Sequence, residues 1–319
     1  MPEQQRLIIV NHPACLAHDT GGSNHPETPE RLTCILDHLR SSELADRIDI
    51  KEPCKAELSW LTIFHQENYL LRFEEAALSG KSFFDHPDNQ ICYDSYEAAL
   101  FSAGAGPSGI DLLENGEDLV FCAVRPPGHH AEINASLGFC FLNNAVIAAR
   151  YWQREYGRTR LAIIDWDAHH GNGIESAFEE DPDVLYVSLH EHPTYSFPGT
   201  GFAEDRGSGA GRGTTLNIPL LPGSDDRRAL KAAADRIEPA LAEFSPERLI
   251  IAAGFDGHVD DDMSGLAYST DFYRMMGDFA SDWGTRFAQG KVLTILEGGY
   301  HLPSLASGTV AYLDSLSSR

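Results

Sequence analysis

The chain has no apolar run near the roughly 18 residues a bilayer-spanning helix needs. Its first ten residues, Met1 to Val10, hold no long apolar segment followed by a small-residue cleavage site. Neither a membrane span nor a signal peptide is expected. Basic residues are scarce: 24 Lys+Arg stand against 48 Asp+Glu, a formal charge of -24. Such a surface repels phosphate backbones and anionic lipid, which excludes nucleic acid and membrane as expected partners. It favours cationic ligands, although a merely solvated acidic surface reads the same way. Six cysteines (Cys15, Cys34, Cys54, Cys92, Cys122, Cys140) include no C-x-x-C pair. They suit reduced, mostly buried thiols of a cytoplasmic protein, not a disulfide framework or a thiolate zinc site. Internal repeats, low-complexity tracts and linkers are missing too, so residues 1–319 are read as one domain.

What is present is a hydrophobic content of 42%, enough for a large core. Apolar runs at 7–10, 119–124, 161–164, 184–189, 215–218, 248–253 and 292–296 read as strands. Helical spacing follows His25-Pro26-Glu27-Thr28-Pro29-Glu30-Arg31, with Leu32, Ile35, Leu36 and Leu39 on one face. It recurs over 60–78, 95–113, 143–156, 227–244, 270–287 and 302–316. Residues 80–93, broken by Pro87 and Asn89, read as a loop. Strands of continuous apolar character alternating with helices specify an α/β fold, a single parallel β-sheet sandwiched by helices.

In such sheets ligands sit at the carboxyl ends of strands, and there the polar residues are unusual. The run 161–164 leads into Asp165-Trp166-Asp167-Ala168-His169-His170-Gly171-Asn172-Gly173. Asp167 and His169, two apart in extended chain, leave on one face. Alone they are equally a polar loop with an ion pair. The other strand ends decide the matter: one delivers His129 and His130, another Asp256, a third Glu297 and Tyr300. A lone His pair is usually scenery and a lone Asp usually a helix cap. Four corresponding strand ends make the bland reading improbable.

The residue types indicate the chemistry. Asp167, His169 and Asp256 offer two carboxylates and one imidazole, a three-ligand set that leaves a metal open for catalysis. A Zn²⁺ there would bring the pKa of bound water towards ~7. His129 and His130 can take and return the proton, and Tyr300 can donate to a developing oxyanion. Asp165 and Asn172 are suited to fix the two imidazoles and separate their basicities. Activated water, base and oxyanion donor together describe amide hydrolysis.

These motifs, with Arg125 to Glu132, Gly138-Phe139-Cys140-Phe141-Leu142-Asn143-Asn144 and Ala253 to Asp256, resemble the zinc-dependent histone deacetylase superfamily over nearly the whole chain. The resemblance implies the arginase/deacetylase fold, with one Zn²⁺ per chain on Asp167, His169 and Asp256. It implies His130 as principal base and acid, His129 as an electrostatic partner and Tyr300 as the carbonyl-polarising residue. Phe139, Phe197 and Met263 would line the substrate channel, and Gly128 would offer its carbonyl to the substrate. Potassium would sit on Asp165, Asp167, His169, Ser188 and Leu189, and a second such ion near Phe178, Asp181 and Val184. Arg31 resembles the arginine of an internal cavity beneath the zinc. Asn172, where class I members place Asp, sides with class II and bacterial forms, and the retained Tyr300 favours real deacetylase activity. The triplet Asp260-Asp261-Asp262 replaces a Gly-Asp-Pro and would attract cationic substrates.

The implied substrates are acetyl-lysine in proteins or peptides, with acetylpolyamines as the alternative. A binuclear arginase-like enzyme loses a ligand at Gly171, and a binding-only pseudoenzyme would need a broken site residue, of which there is none. Homo-oligomerisation stays open, with loops 13–24 and 80–93 as the candidate interface.

Overall fold

The computed structural model describes residues 6–21 and 25–318. Gly22, Ser23 and Asn24, at the end of one candidate interface loop, lie outside the described residues. The strands are β1 (Leu7–Val10), β2 (Ile48–Lys51), β3 (Phe83–Phe84), β4 (His86–Gln90), β5 (Leu119–Cys122), β6 (Leu161–Asp165), β7 (Val184–Glu191), β8 (Thr215–Leu220), β9 (Arg248–Ala253) and β10 (Val292–Leu296). Eight of them form one sheet in the order β2-β1-β5-β10-β9-β6-β7-β8, with every pairing parallel. The short β3–β4 pair stands apart and is antiparallel.

This order explains the site. The four strands that end in reactive side chains, β5, β10, β9 and β6, are neighbours at the centre of the sheet. Their register pairs Cys122 with Ile295, Ala253 with Leu296, and Asp165 with Ala252. The central strands therefore finish at nearly one level, and their loops open over one spot. Every residue of these four strands is buried, as expected for a sheet covered on both faces.

Helices Ser95–Glu114, Asn144–Tyr156, Thr270–Phe287 and Leu302–Leu316 supply much of the cover. Gly109 lets the first of these lie close on the sheet, since a Cβ there would stand 2.8 Å from Leu293 Cδ1 and 2.9 Å from Val120 Cγ1. The second is stopped at both ends by local chemistry. Asn143 accepts from the Val146 N–H at its start, and Gly157 takes φ +63° at its finish.

The structure differs from the sequence expectations in five places, the first being a one-turn helix, Ala14–Ala17, inside the loop expected over 13–24. The helix expected over 60–78 is two, Leu58–Leu61 and Glu67–Leu78. The Gln66 N–H between them goes to the Ile133 carbonyl, a tertiary bond that breaks the helical ladder. Strand β2 escaped notice because Ile48-Asp49-Ile50-Lys51 is a short polar-alternating edge. The loop 80–93 contains β3 and β4. The helix over 227–244 is regular at both ends but widens to a π turn at Ala233–Ile237.

Candidate functional site

Three donors converge beyond β6 and β9. One atom each of Asp167, His169 and Asp256 lies within 4.8 Å of the others, and all three residues are buried. His169 Nδ1 is 3.1 Å from Asp167 Oδ1 and 2.9 Å from Asp256 Oδ2. Its Nε2 faces the Met263 carbonyl at 3.1 Å, which orients the ring with Nδ1 inward. The outer carboxylate oxygens take backbone donors: Gly298 N–H to Asp167 Oδ2 at 2.7 Å, Ala168 N–H to Asp256 Oδ1 at 2.9 Å. Gly298 must be glycine, because a Cβ would stand 2.5 Å from a carboxylate oxygen of both Asp167 and Asp256.

The electrostatics of this cluster are those of a cation site. Burial and the neighbouring Asp167 charge push the Asp256 carboxyl up to about 7. Burial also opposes ionisation of Asp167, but His129 and His169 outweigh it and hold that carboxyl below the usual range. His169 is driven well above its usual range despite burial, through its bonds to the two carboxylates. Two carboxylates this close do not both ionise without a positive charge between them.

The two histidines after β5 stand beside the cluster, with ring centroids 3.9 Å apart. Each has its own partner. His129 Nδ1 meets Asp165 Oδ2 at 3.1 Å; His130 Nδ1 meets Asn172 Oδ1 at 2.8 Å. Asn172 Nδ2 donates to Glu132 Oε1 at 2.8 Å, which turns the amide oxygen towards His130. Burial lowers the proton affinity of both rings. For His129 the charges of Asp167 and Asp165 overcome it and lift the pKa to about 10. For His130 burial, then His129 and His169, hold it well below the ordinary value. The two rings are thus set to opposite basicities.

Tyr300 sits on the Gly298-Gly299 turn after β10, where Gly299 has φ +118°. Burial keeps its phenol protonated, well above the usual range and against the pull of Arg31. Three groups brace the turn that sequence reasoning did not assign to it. Arg31 donates through Nε to Gly299 O at 2.6 Å and through Nη2 to Glu297 O, with its guanidinium 4.8 Å from the Tyr300 ring centroid. Glu297 Oε2 accepts from Gly128 N–H (2.7 Å) and His129 N–H (3.0 Å), tying the β10 end to the β5 end. Asp261 Oδ2 accepts from Tyr300 N–H (2.6 Å) and His301 N–H (2.9 Å), and its Oδ1 from Met263 N–H (3.1 Å). Asp261 is thus 4% exposed and engaged internally. The acidic triplet read above as a lure for cations leaves only Asp260 and Asp262 in solvent. The missed signal was position: a carboxylate five residues after Asp256 returns over the same strand end.

A cavity of about 640 Å³ opens above these groups, with His130, His169 and Tyr300 at its wall and Phe139, Phe197 and Met263 among its lining. Phe197 packs edge-on to His130 at 5.0 Å and Phe139 edge-on to Tyr300 at 5.7 Å. Phe139 has φ +68°, and a Cβ at neighbouring Gly138 would meet His130 at 2.3 Å. Gly128 does not line the cavity; its carbonyl accepts from Ala131 N–H. Of the residues assigned to monovalent cations, Asp165 and Ser188 face each other across the β6–β7 register, next to Leu189. Ser188 Oγ is 2.7 Å from His190 Nδ1. Phe178, Asp181 and Val184 lie together on the connection into β7, where Arg150 pairs with Asp181 and covers the Phe178 ring.

A parallel sheet with a buried carboxylate–imidazole cluster at the floor of an aromatic-walled cavity is the architecture of an amide-hydrolysing metalloenzyme. Comparison with known proteins narrows this to one family. The family described as histone deacetylase domain matches residues 25–316, and the chain belongs to it. It is 38% identical over 295 residues to a probable deacetylase of Archaeoglobus fulgidus, covering 92% of this chain and 80% of that one. It is 34% identical over 309 residues to a histone deacetylase-like amidohydrolase of Pseudomonas aeruginosa, covering 97% and 79%. The crystal structure of the HDA15 HD domain superposes with a TM-score of 0.92 at 31% identity, covering 98% of this chain and 88% of that one. The fold is therefore the arginase/deacetylase fold, and the family implies a metal cofactor. Among the described residues no helix is long and apolar enough to cross a membrane.

Proposed function

We propose that the protein removes acetyl groups from N-acetylated primary amines, with acetyl-lysine in peptides or proteins as the substrate class, using one Zn²⁺ held by Asp167, His169 and Asp256. The observation that supports it most is the pairing of this three-donor cluster with two histidines held by different partners, Asp165 and Asn172, beneath one cavity. The donor set fits the ion: three buried side chains converge, their outer atoms are fixed by backbone groups, and one side is left to the cavity. When bound, the ion polarises the amide carbonyl and acidifies water beside it.

The chain's own residues carry the rest. With Nδ1–H donated to Asn172, neutral His130 presents the lone pair of Nε2, accepts the water proton and returns it to the departing amine. His129, raised in basicity by the Asp167 and Asp165 charges, stabilises negative charge as it develops. The Tyr300 phenol donates to the same oxyanion. Phe139 and Phe197 flank the alkyl part of the substrate and exclude water from it. Gly128, whose carbonyl accepts from Ala131 N–H, offers its second lone pair to the substrate. In the same reading K⁺ occupies the Asp165, Asp167, His169, Ser188, Leu189 site, with a second ion at Phe178, Asp181 and Val184. The protein works as one domain in the cytoplasm, in keeping with six free cysteines.

Acetylated polyamines are the second reading. It is favoured by Asp88, Glu191 and Asp262 around a cavity lined by no lysine or arginine among the described residues. The test is acetate release from acetyl-lysine peptides and from acetylputrescine, acetylcadaverine and acetylspermidine, with His130→Ala and Tyr300→Phe as controls. Deacetylation that survives either substitution at near-normal rate overturns the assigned roles.

A further inference from the structure

We propose that His129, Cys140 and Glu297 form a second divalent-cation site, for a thiophilic ion such as Zn²⁺ or Cd²⁺, beside the Asp167–His169–Asp256 cluster. One donor atom from each of the three lies within 4.8 Å of the others, and all three residues are buried. Each has a donor to spare. Glu297 Oε2 is used by two backbone N–H groups, but Oε1 is buried without a hydrogen-bond partner. His129 Nδ1 is taken by Asp165, which leaves Nε2, 3.8 Å from Asp167 Oδ1. Cys140 Sγ contacts the Gly138 carbonyl at 3.3 Å and the His130 backbone, and no side chain is its partner in either contact. Donors around a tetrahedral Zn²⁺ stand roughly 3.4–3.7 Å apart at ordinary bond lengths, so occupancy needs movements of about 1 Å shared among three side chains.

Charge balance favours a second cation. Asp165, Asp167, Asp256 and Glu297 are all buried around this point, and beside one dication part of their charge is offset by protons on His129 and Glu297 that a second cation would replace. Burial pushes the Glu297 carboxyl up to about 7, against the lowering effect of His129, so that a proton stands where a cation would serve. The Cys140 thiol, raised by burial, ionises only when a metal displaces its proton. Ion entry releases that proton, the Nε2 proton of His129 and the Glu297 proton where present, to solvent; no oxidant is involved. A donor set of thiolate, imidazole and carboxylate selects Zn²⁺ or Cd²⁺ over Mg²⁺ or Ca²⁺. Occupancy takes Nε2 of His129 away from the reacting groups, so turnover falls as the site fills. Only this last effect rests on the proposed function.

The experiment is a Cd²⁺ titration of protein holding one equivalent of zinc, followed by thiolate-to-cadmium absorption in the ultraviolet. The three-ligand cluster has no sulfur, so the band reports the second site alone. We expect one further equivalent with the band, its loss in Cys140→Ser with the zinc retained, and at least tenfold weaker binding in Glu297→Gln. A band that persists in Cys140→Ser, arising from another thiol, overturns the proposal, as does the absence of a second equivalent. Failure of the catalytic reading shows separately, as an active protein holding no metal at the first site.

Discussion

Replacing Asp261 with Asn should slow deacetylation without touching a ligand, a base or the substrate. The Asp261 carboxylate accepts three backbone N–H groups, two of them from Tyr300 and His301. Asn keeps one acceptor oxygen and turns an NH₂ towards the other donors, so at least one N–H loses its partner. A hydrogen bond to a charged group contributes about 1.5–3 kcal/mol. If that loss is felt as misplacement of the Tyr300 phenol, it converts to roughly a 10- to 150-fold drop in kcat. Steady-state kcat and KM on an acetyl-lysine peptide, with zinc content and Tm measured in parallel, give the size of the effect. A double-mutant cycle gives its route: in a Tyr300→Phe background the same substitution should cost far less, because the group it positions is gone. Equal losses in both backgrounds would show that Asp261 acts elsewhere and refute the argument.

Three further outcomes are expected. Asn172→Asp places an anion against His130 and stabilises its protonated form, so the acid limb of the kcat/KM profile should move to higher pH; an unmoved limb removes His130 from the role of base. Asp256→Asn should lower zinc affinity at least tenfold, read by competition with a chelator. The His65 contribution to stability, read as the difference between the protein and its His65→Gln variant, should fall as pH drops from 6.5 to 4, while Asp256 and Glu297, both raised to about 7, act in the opposite sense. His65, buried and pushed down to about 4, stays neutral in the fold while the unfolded chain takes a proton. A depressed folded pKa contributes stability above the unfolded value and loses it below, here by about 3 kcal/mol at most. Chemical denaturation across that range, with His65→Gln as the control, checks the sign and the size.

Much of the site was legible because its chemistry follows strand ends. Asp167, His169 and Asp256 were readable from spacing and residue type, since a buried parallel strand can end in charge only where something uses it. The adjacency of β5, β10, β9 and β6 was not readable, because sheet order is not chain order. Two braces of Tyr300 were hidden for the same reason: Arg31 and Asp261 meet the turn only through crossovers that bring 31 and 261 to it. Glu297 stood in plain view at a strand end, yet its pairing with backbone donors of the β5 loop has no periodic signature. The short edge β2 and the tertiary bond that breaks the helix at Gln66 lie below the reach of local pattern. Asp261 was misread as surface because two exposed acids flank it.

The central claim is that a metal at Asp167, His169 and Asp256 enables amide hydrolysis by this chain. Its most direct test is acetate release from an acetyl-lysine peptide by protein stripped with a chelator and then titrated with Zn²⁺. The account predicts no turnover when stripped, activity that rises to a maximum at one equivalent, and inhibition as a second equivalent binds. Full acetate release by metal-free protein would contradict it.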